Sequence, residues 1–470
     1  MKLNEIIREG RRVEDIISDL SQKTTNPPSW AELRKFFIPS NHKIADDKQQ
    51  RRDRVVETSQ GSFVEEACRS VLGLEKLLVK RVNQFTFSIP VKREYQNIDT
   101  PARKEIAAAI ERIYQEVDID TVNIQRGLDY FMGCEIFTQW YPVPKKNTLY
   151  GFNSEYKLKC RTFSPIRDNV KLYPLIDEEE DMVAFSLRFD KKIENERHTF
   201  FKSWSEEGVY EWKKGETTAW QDVSTENVIG KIPGVYLWRS EPIFEDGTPE
   251  LREDTEYKHS EESDVISYNS APLIKVMGKM VSDEKKYESR RLVRVEQGGD
   301  VSYVSWNQST EATEKHIQRN IDWFWMMNQI PDISFKNLQS LGDIGYDARQ
   351  MMLTDTYLKI GEESKAFNSF FRREGNVIKA FLKQMQTKWS DEDIDAVVIK
   401  HIITPYIPQD EKYDIQKRQL ANGGKALESQ RESIERWGKS DDVDKTMKEI
   451  QEEAQLEQSA RITSLMEGAI

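Results

Sequence analysis

YVSWNQSTEATEKHIQRNIDWFWMMNQIPDIS, residues 303–334, is the stretch on which the fold turns. Its first residues close a run from Val301 to Trp306 that is rich in aromatic and β-branched side chains and reads as a strand. Ser309 or Thr310 then offers a side-chain oxygen to the free N–H groups of a helix start. The helix runs to about Ile330: Ile317, Ile321, Phe324 and Met327 or Asn328 recur on one face, and Trp323 and Trp325 broaden it. Asp332 to Tyr346, closed by Gly342 and Gly345, has no periodicity and reads as a loop.

Upstream, Pro249 to Ala271 is polar and charged, and PLIKVMGKM (272–280) is strand-like. Arg290–Val295 and Val301–Trp306 read as two further strands with Gly298 and Gly299 near their turn, so a small β module sits between two helices. Downstream, Asp347 to Met385 reads as one very long helix, broken or bent near Gly361 and Gly375. AVVIKHIITPYIP (396–408) gives one buried strand. The tail from Gln409 is helical and charged, with breaks at Gly423-Gly424 and Gly438 and with Ser440 as N-cap of a last helix that carries Val443, Met447 and Ile450 on one face.

The N-terminal half begins with helical patterns around Leu3 to Leu20 and Ser29 to Phe37, then the charged run Lys48 to Arg54. Val64, Cys68, Val71, Leu72, Leu78, Val82 and Phe85 keep helical spacing and predict one buried helix from Phe63 to Phe85, with an extended exit at Pro90. A further helix spans Pro101 to Val117, with Thr100 as its N-cap. Between Phe131 and Trp238, CEIFTQWYPV, MVAFSLRFD, HTFFKSW and GVYEWKKGETTAW read as antiparallel strands, the last pair turning at Glu206, Glu207 and Gly208. The acidic run Asp177 to Asp181 is a solvated loop between strands. The fold class is α+β, mixed helical and β-rich.

A length of 470 residues suggests roughly three domains. With 37% hydrophobic and 32% charged residues and 11 Trp, the composition can bury a core. Cys68, Cys134 and Cys160 are too scattered for a disulfide framework or a zinc site and read as small buried hydrophobes. No run reaches the ~18–20 apolar residues of a membrane helix, and MKLNEIIREGRRVEDI lacks the apolar core of a signal peptide, so the expected compartment is reducing and cytoplasmic, with no membrane. The net charge of −12 disfavours a broad, tight grip on nucleic acid, because that affinity comes from Lys and Arg on phosphates, but it suits a surface past which DNA must slide.

Motifs for catalysis fail on context. Gly438-Lys439-Ser440 has Ser433 where a P-loop needs glycine, and Gly424-Lys425 has Gln419. His42, His198, His259, His316 and His401 show no metal-ligand spacing and read as surface or strand residues. Glu253-Asp254 and Asp391-Glu392-Asp393 resemble two-metal nuclease ligands only by type; each lies in a charged stretch whose default is a solvated face. No catalytic residue, cofactor or metal is expected. The basic segments Lys48–Arg54 and Lys285–Arg294 lack an interleaved aromatic stacking series and read as a partner or subunit contact more readily than as a DNA grip.

The ordered combination resembles the portal proteins of tailed phages, the family typified by the portal of a siphophage of Bacillus. IGKIPGVYLWRSEP (229–242), a polar helical segment, NSAPLIKVMGK (269–279) and the opening stretch are similar to its central passage. VVIKHIITPYIPQDEKYDIQKRQLANGG (397–424), SQRESIERWG (429–438) and VDKTMKEIQEE (443–453) are similar to its C-terminal one. The resemblance implies a non-enzymatic, dodecameric ring at one virion vertex, assembled in the host cytoplasm, through which double-stranded DNA is packaged and ejected. Its parts would be a wing at 1–250, stem helices at 251–271 and 310–330, a clip at 272–309 and a tunnel loop at 331–346. The long channel helix with a wing return strand would take 347–408, and a helical crown 409–470. Phe335, Lys336, Asn337, Leu338 and Gln339 would lie beside DNA; Lys285, Lys286, Arg290, Arg291 and Arg294 would serve clip partners; His316, Arg319, Trp323 and Trp325 would face a neighbouring subunit. Implied partners are further copies, the large terminase, a head-completion or adaptor protein, and the major capsid and scaffolding proteins. Another capsid or connector structural protein, or a metal-dependent nucleic-acid enzyme, is the alternative.

Overall fold

The computed structural model describes residues 3–8, 10–58, 61–167, 170–179, 181–193, 196–215, 218–269, 273–277, 300–304, 311–332, 351–406, 429–437 and 442–467. Two compact units make up the chain, Met1–Asp343 with Met351–Tyr406, and Ile344–Gln350 with Ile407–Ile470.

The larger unit opens with helices α1 (Leu3–Ile6) and α2 (Val13–Leu20), a split of the first helical pattern, and α3 (Trp30–Phe37). Ser29 starts α3 as a capping box: Ser29 Oγ accepts from Glu32 N at 3.3 Å and the Glu32 carboxylate accepts from Ser29 N at 3.2 Å. The single helix expected from Phe63 to Phe85 is not formed. Strands β1 (Arg54–Thr58) and β2 (Gly61–Glu65) make a hairpin, and helix α4 covers only Leu74–Phe87. Val55 faces Val64 across that hairpin, and they are 63% and 60% exposed, so part of the apolar spacing belongs to side chains in water. Strand β3 (Lys92–Gln96) follows, then α5 (Pro101–Glu116), whose Thr100 Oγ1 accepts from Arg103 N at 3.2 Å as expected. Helix α6 (Ile119–Gly133), absent from the sequence reading, delays the β region to Glu135.

Two antiparallel sheets then form. Strands β4 (Glu135–Asn147) and β5 (Ser154–Phe163) belong to a three-stranded sheet, and β6 (Lys171–Ile176), β7 (Met182–Ile193), β8 (Glu196–Ser205) and β9 (Gly208–Lys214) run in sequence order through the larger one. Short strands β10 (Gln221–Asp222) and β11 (Thr225–Glu226) both pair with β9, and β12 (Gly234–Trp238) completes the first sheet beside β4. The turn at Glu206 and Glu207 lies where the sequence put it. Both faces of the larger sheet are covered: Ala184, Phe201 and Trp212 pack under Ile16, Ile17 and Leu20 of α2, while Phe185, Leu187 and Trp204 pack against Phe137 and Tyr236 of the smaller sheet. Two buried faces require large side chains at both parities of each strand, hence the aromatic density.

Helix α7 spans Thr248–Asn269. Strands β13 (Leu273–Met277) and β14 (Asp300–Val304) pair antiparallel, which supplies the small β module; Arg290–Val295 with Gly298 and Gly299 lies outside the described residues. Helix α8 (Glu311–Met327) is the helix of the deciding stretch. Helix α9 (Thr354–Met385) runs unbroken through Gly361 and Gly375. A Cβ on Gly375 would sit 3.1 Å from Ile399 Cδ1, so this glycine lets a strand approach the helix and does not break it. After α10 (Asp391–Ala396), strand β15 (Val398–Ile402) pairs with β3 alone among the described residues and leaves Val398 43% exposed, so the run is half buried where full burial was expected. The smaller unit contains α11 (Gln430–Trp437) and α12 (Val443–Glu467). Asp442 caps the last helix, its Oδ1 accepting from Lys445 N at 3.1 Å; Ser440, the expected N-cap, lies outside the described residues.

The main core joins α3 to α6, β4 and α9, and has a charge at its centre. Glu374 of α9, 1% exposed, accepts from Arg126 Nη1 of α6 and from Trp140 Nε1 of β4, both at 3.0 Å on Oε1. The Arg126 guanidinium, fully buried, also lies over Phe370. Burial pushes the Cys134 thiol up to about 12 and the Cys160 thiol to about 11. His401 of β15 sits beside the Phe371 and Tyr114 rings. Burial and then the nearby Arg93 charge lower its pKa to about 4.

Removing one partner of a buried pair strands the other. Glu374→Leu is expected to lower unfolding free energy by about 3–5 kcal/mol, and Arg126→Met with Glu374→Met to recover most of it, as read from denaturant midpoints. If the double change is as damaging as the single one, a stranded charge is not the source of the loss. For His401 the folded pKa lies below the ordinary value of about 6.5, so the unfolded chain binds more protons between them. Stability is therefore complete above about pH 6.5 and falls by roughly 2 kcal/mol toward pH 4, after discounting for partial exposure; His401→Phe should flatten that slope.

Candidate functional site

Helix α7 has no continuous apolar face, and what holds it is a polar stripe. Arg252, Glu256, Ser260 and Asp264 recur at four-residue spacing, which stacks them on one side of the helix. Each meets a group from residues 42–75. Arg252 Nε donates to Glu75 Oε1 at 3.0 Å, and Arg252 Nη1 donates to Glu256 Oε2 at 2.7 Å. Glu256 Oε1 accepts from Leu72 N at 2.7 Å and lies 2.7 Å from His42 Nδ1. Ser260 Oγ accepts from Ser70 N at 2.8 Å, and Asp264 Oδ1 from Cys68 N at 2.9 Å. Arg51 closes the far end by pairing with Asp264 and donating to Ser260 O at 3.1 Å. The Arg252, Glu256, Glu75 and His42 side chains are at most 5% exposed, so charges replace oil at the root of the helix. Burial raises the Glu75 pKa, against the pull of Arg252.

Helix α8 lies along α7 and shares its ties. Asp254 Oδ2 is 2.6 Å from His316 Nε2 and accepts from Asn320 Nδ2 at 2.7 Å. Burial pushes the Asp254 carboxyl up, but the His316 and Asn320 hydrogen bonds outweigh it and hold it below the ordinary value. Arg319 lies 2.9 Å from His316 Nδ1 and over the Trp323 ring. Asn328 Oδ1 accepts from Glu245 N at 2.9 Å, joining the end of α8 to the approach to α7. Thr356 Oγ1 donates to Gln329 O at 3.0 Å, so the end of α8 and the start of α9, which flank residues 333–350, are tied together.

The four residues expected at a neighbour's surface divide. Trp325, 4% exposed, lies under Arg81 with 4.1 Å from guanidinium to ring, in the protomer's own core, and Arg81 Nη1 donates to Pro331 O at 2.9 Å. Trp323 remains 49% exposed beside Met326 and Met327. His316 and Arg319 are engaged with Asp254 and Trp323. Phe335–Gln339 and Lys285, Lys286, Arg290, Arg291 and Arg294 lie outside the described residues.

Several sequence readings change here. His42 is not a surface residue but a fully buried member of the stripe's partners. Arg51, assigned with Lys48–Arg54 to an intermolecular contact, is spent on α7. Glu253 pairs with Lys43 at 2.5 Å, and Asp393 accepts from Arg103 Nε at 2.9 Å while capping α10 with Ser390. These acids hold elements together. Among the described residues no group of three His, Cys, Asp or Glu could hold a metal ion, and no helix is long and apolar enough to cross a membrane. The stripe was missed because apolar periodicity is silent on it; a search for i, i+4, i+8, i+12 polar residues with complementary side chains would have found it.

Residues 42–460 match the family model described as phage portal protein, SPP1 Gp6-like. Among solved structures, the neck of an empty GTA particle computed with C6 symmetry is similar at 11% identity, over 76% of this chain and 88% of that one, with a TM-score of 0.35. No curated protein matches.

Arg252→Met leaves Glu75 and Glu256 buried beside one histidine. It should destabilise the chain by about 3–5 kcal/mol and speed hydrogen exchange along α7, whereas Lys43→Ala, on an exposed pair, should cost about 1 kcal/mol or less. Equal effects would mean that the stripe does not anchor the helix.

Proposed function

Given that this chain belongs to the SPP1 Gp6-like phage portal protein family, we propose that its copies close into a dodecameric ring at a single capsid vertex, the conduit for double-stranded DNA. The observation that carries this is the match over residues 42–460, nearly the whole chain. That the portal family is structural agrees with the failed catalytic motifs, so the energy for translocation comes from a separate ATPase.

In this reading α7 and α8 are the stem, and the β module between them, within 272–309, is the clip that docks the large terminase and later a head-completion or adaptor protein. Lys285, Lys286, Arg290, Arg291 and Arg294 are its contact residues. Residues 331–346 are the tunnel loop, with Phe335, Lys336, Asn337, Leu338 and Gln339 beside DNA. The Thr356–Gln329 tie supports this, because it gives such a loop a fixed base. Residues 1–250 are the wing, 347–408 the channel helix and wing return strand, and 409–470 a crown. Trp323, with Arg319 over its ring, is the stem residue left to meet a neighbour, since an exposed Trp beside two exposed Met is a costly face for a monomer. A chain of net charge −12 keeps DNA contact weak. Capsid and scaffolding proteins are the remaining partners, and assembly takes place in the host cytoplasm.

Electron microscopy of the purified chain should show rings with a central channel, without ATP hydrolysis. A monomer at micromolar concentration would sink the proposal. Deleting Phe335 to Leu341 should spare the rings and impair DNA packaging or retention; collapse of the ring would instead assign this segment to the core.

A further inference from the structure

The larger sheet carries opposite charge at its two ends. Where β6 turns into β7 and β8 into β9 stand Asp177, Glu178, Glu179, Asp181, Glu206 and Glu207, all exposed. Lys231 is a cation on the adjoining turn, its carbonyl accepting from Asn227 at 2.7 Å. Where β7 turns into β8 stand Lys171, Arg188, Lys191, Lys192, Arg197 and Lys214, again exposed. Asp190, which pairs with Arg197 and Thr199, and Glu196 are the acids among them. Ten residues of strand, about 33 Å, separate Asp181 from Lys191.

Register makes the basic end costly in isolation. Lys171 stands directly opposite Arg188, and Lys192 directly opposite Arg197. Like charges at facing positions destabilise a ladder. Alternation places Arg188, Lys192, Arg197 and Lys214 on the face covered by α2. There Arg188, Arg197 and Lys214 line a groove of about 610 Å³ with Ile17 of α2 and Trp220, and Glu14 of α2 is the one acid in its lining, against three cations. This is a concentration of cations on a chain of net charge −12. The acidic end is stiff, since Asp177 Oδ1 accepts from Glu179 N at 3.0 Å and from Asp181 N at 2.9 Å. A turn held this way presents its carboxylates at little ordering cost.

We propose that the basic groove receives the acidic turn of a second copy of this chain, so that neighbouring sheets meet head to tail. The inference rests on the ring reading and adds to it which surfaces close the ring. Two different patches on one rigid element make a heterologous contact, the kind that generates a closed ring. Duplex DNA is the weaker fit, because an acidic patch sits on the same sheet.

The test reverses each end and then both. Arg188→Glu with Lys214→Glu changes the groove, Glu178→Lys with Glu179→Lys changes the turn, and the four-fold variant carries the swap on one chain. Assembly is followed by mass photometry and sedimentation at about 50 mM and about 500 mM salt. Either reversal should raise the concentration for half-assembly by roughly tenfold at low salt, and the four-fold swap should return it to within about threefold of wild type. Wild-type assembly should weaken as salt rises, which tests the contact even if a variant misfolds. Normal rings from both single reversals, a swap no better than its worse half, or salt-insensitive wild-type assembly would overturn the contact while leaving the ring intact. Groove-reversed rings that assemble normally but lose DNA binding would give the groove to DNA. A wild-type chain that stays monomeric removes the ring reading and this contact together.

Discussion

One carboxylate fixes how the large unit is put together. Glu374 sits in the middle of α9, and its Oε1 is shared by Arg126 of α6 and Trp140 of β4. Helix α9 must meet the consecutive elements α6 and β4, more than 230 residues upstream, at one buried point, because any other arrangement leaves an ion in oil at a cost of several kcal/mol. Around it the apolar core, Phe367, Phe370 and Phe371 of α9 against Tyr130 and Phe131 of α6, supplies the bulk of the burial without dictating register. The ion pair supplies specificity, and the aromatic rings supply the free energy.

The same division of labour recurs at α7, with the proportions reversed. There the contacts are almost all polar, and a net gain in stability is not their evident purpose, since buried ionic groups are often no better than apolar ones of equal volume. They hold a mostly hydrophilic helix in one orientation. The matched family region begins at residue 42, and His42 is the first of the groups that grip this helix.

Much of the fold was legible where local chemistry and burial agree. Thr100 before Pro101, the turn at Glu206 and Glu207, and the helix of the deciding stretch follow from capping, turn geometry and one-sided apolar spacing. Failures came where sequence does not say where water is. Val64 counted toward a helix face and lies exposed on a hairpin, while Val398 counted toward a buried strand and faces solvent. Gly375 looked like a break, but its missing side chain admits Ile399. At the candidate site, Trp323 and Trp325 are neighbours with opposite fates, decided by an arginine some 240 residues upstream in the chain, Arg81, which no local pattern names. The polar stripe of α7 carries no apolar periodicity and so gave no signal of this kind.

That stripe also has a mechanical meaning. A slip of α7 by one turn, about 5.4 Å, would bring Glu256 to the place of Arg252 and set it against Glu75, carboxylate to carboxylate. A slip the other way would put Arg252 at the Leu72 N–H, donor to donor, and leave Ser260 facing Arg51. The ladder is thus a detent with one seated position. A pull along the helix therefore loads Glu75, His42 and Arg51 before the helix can slide past them.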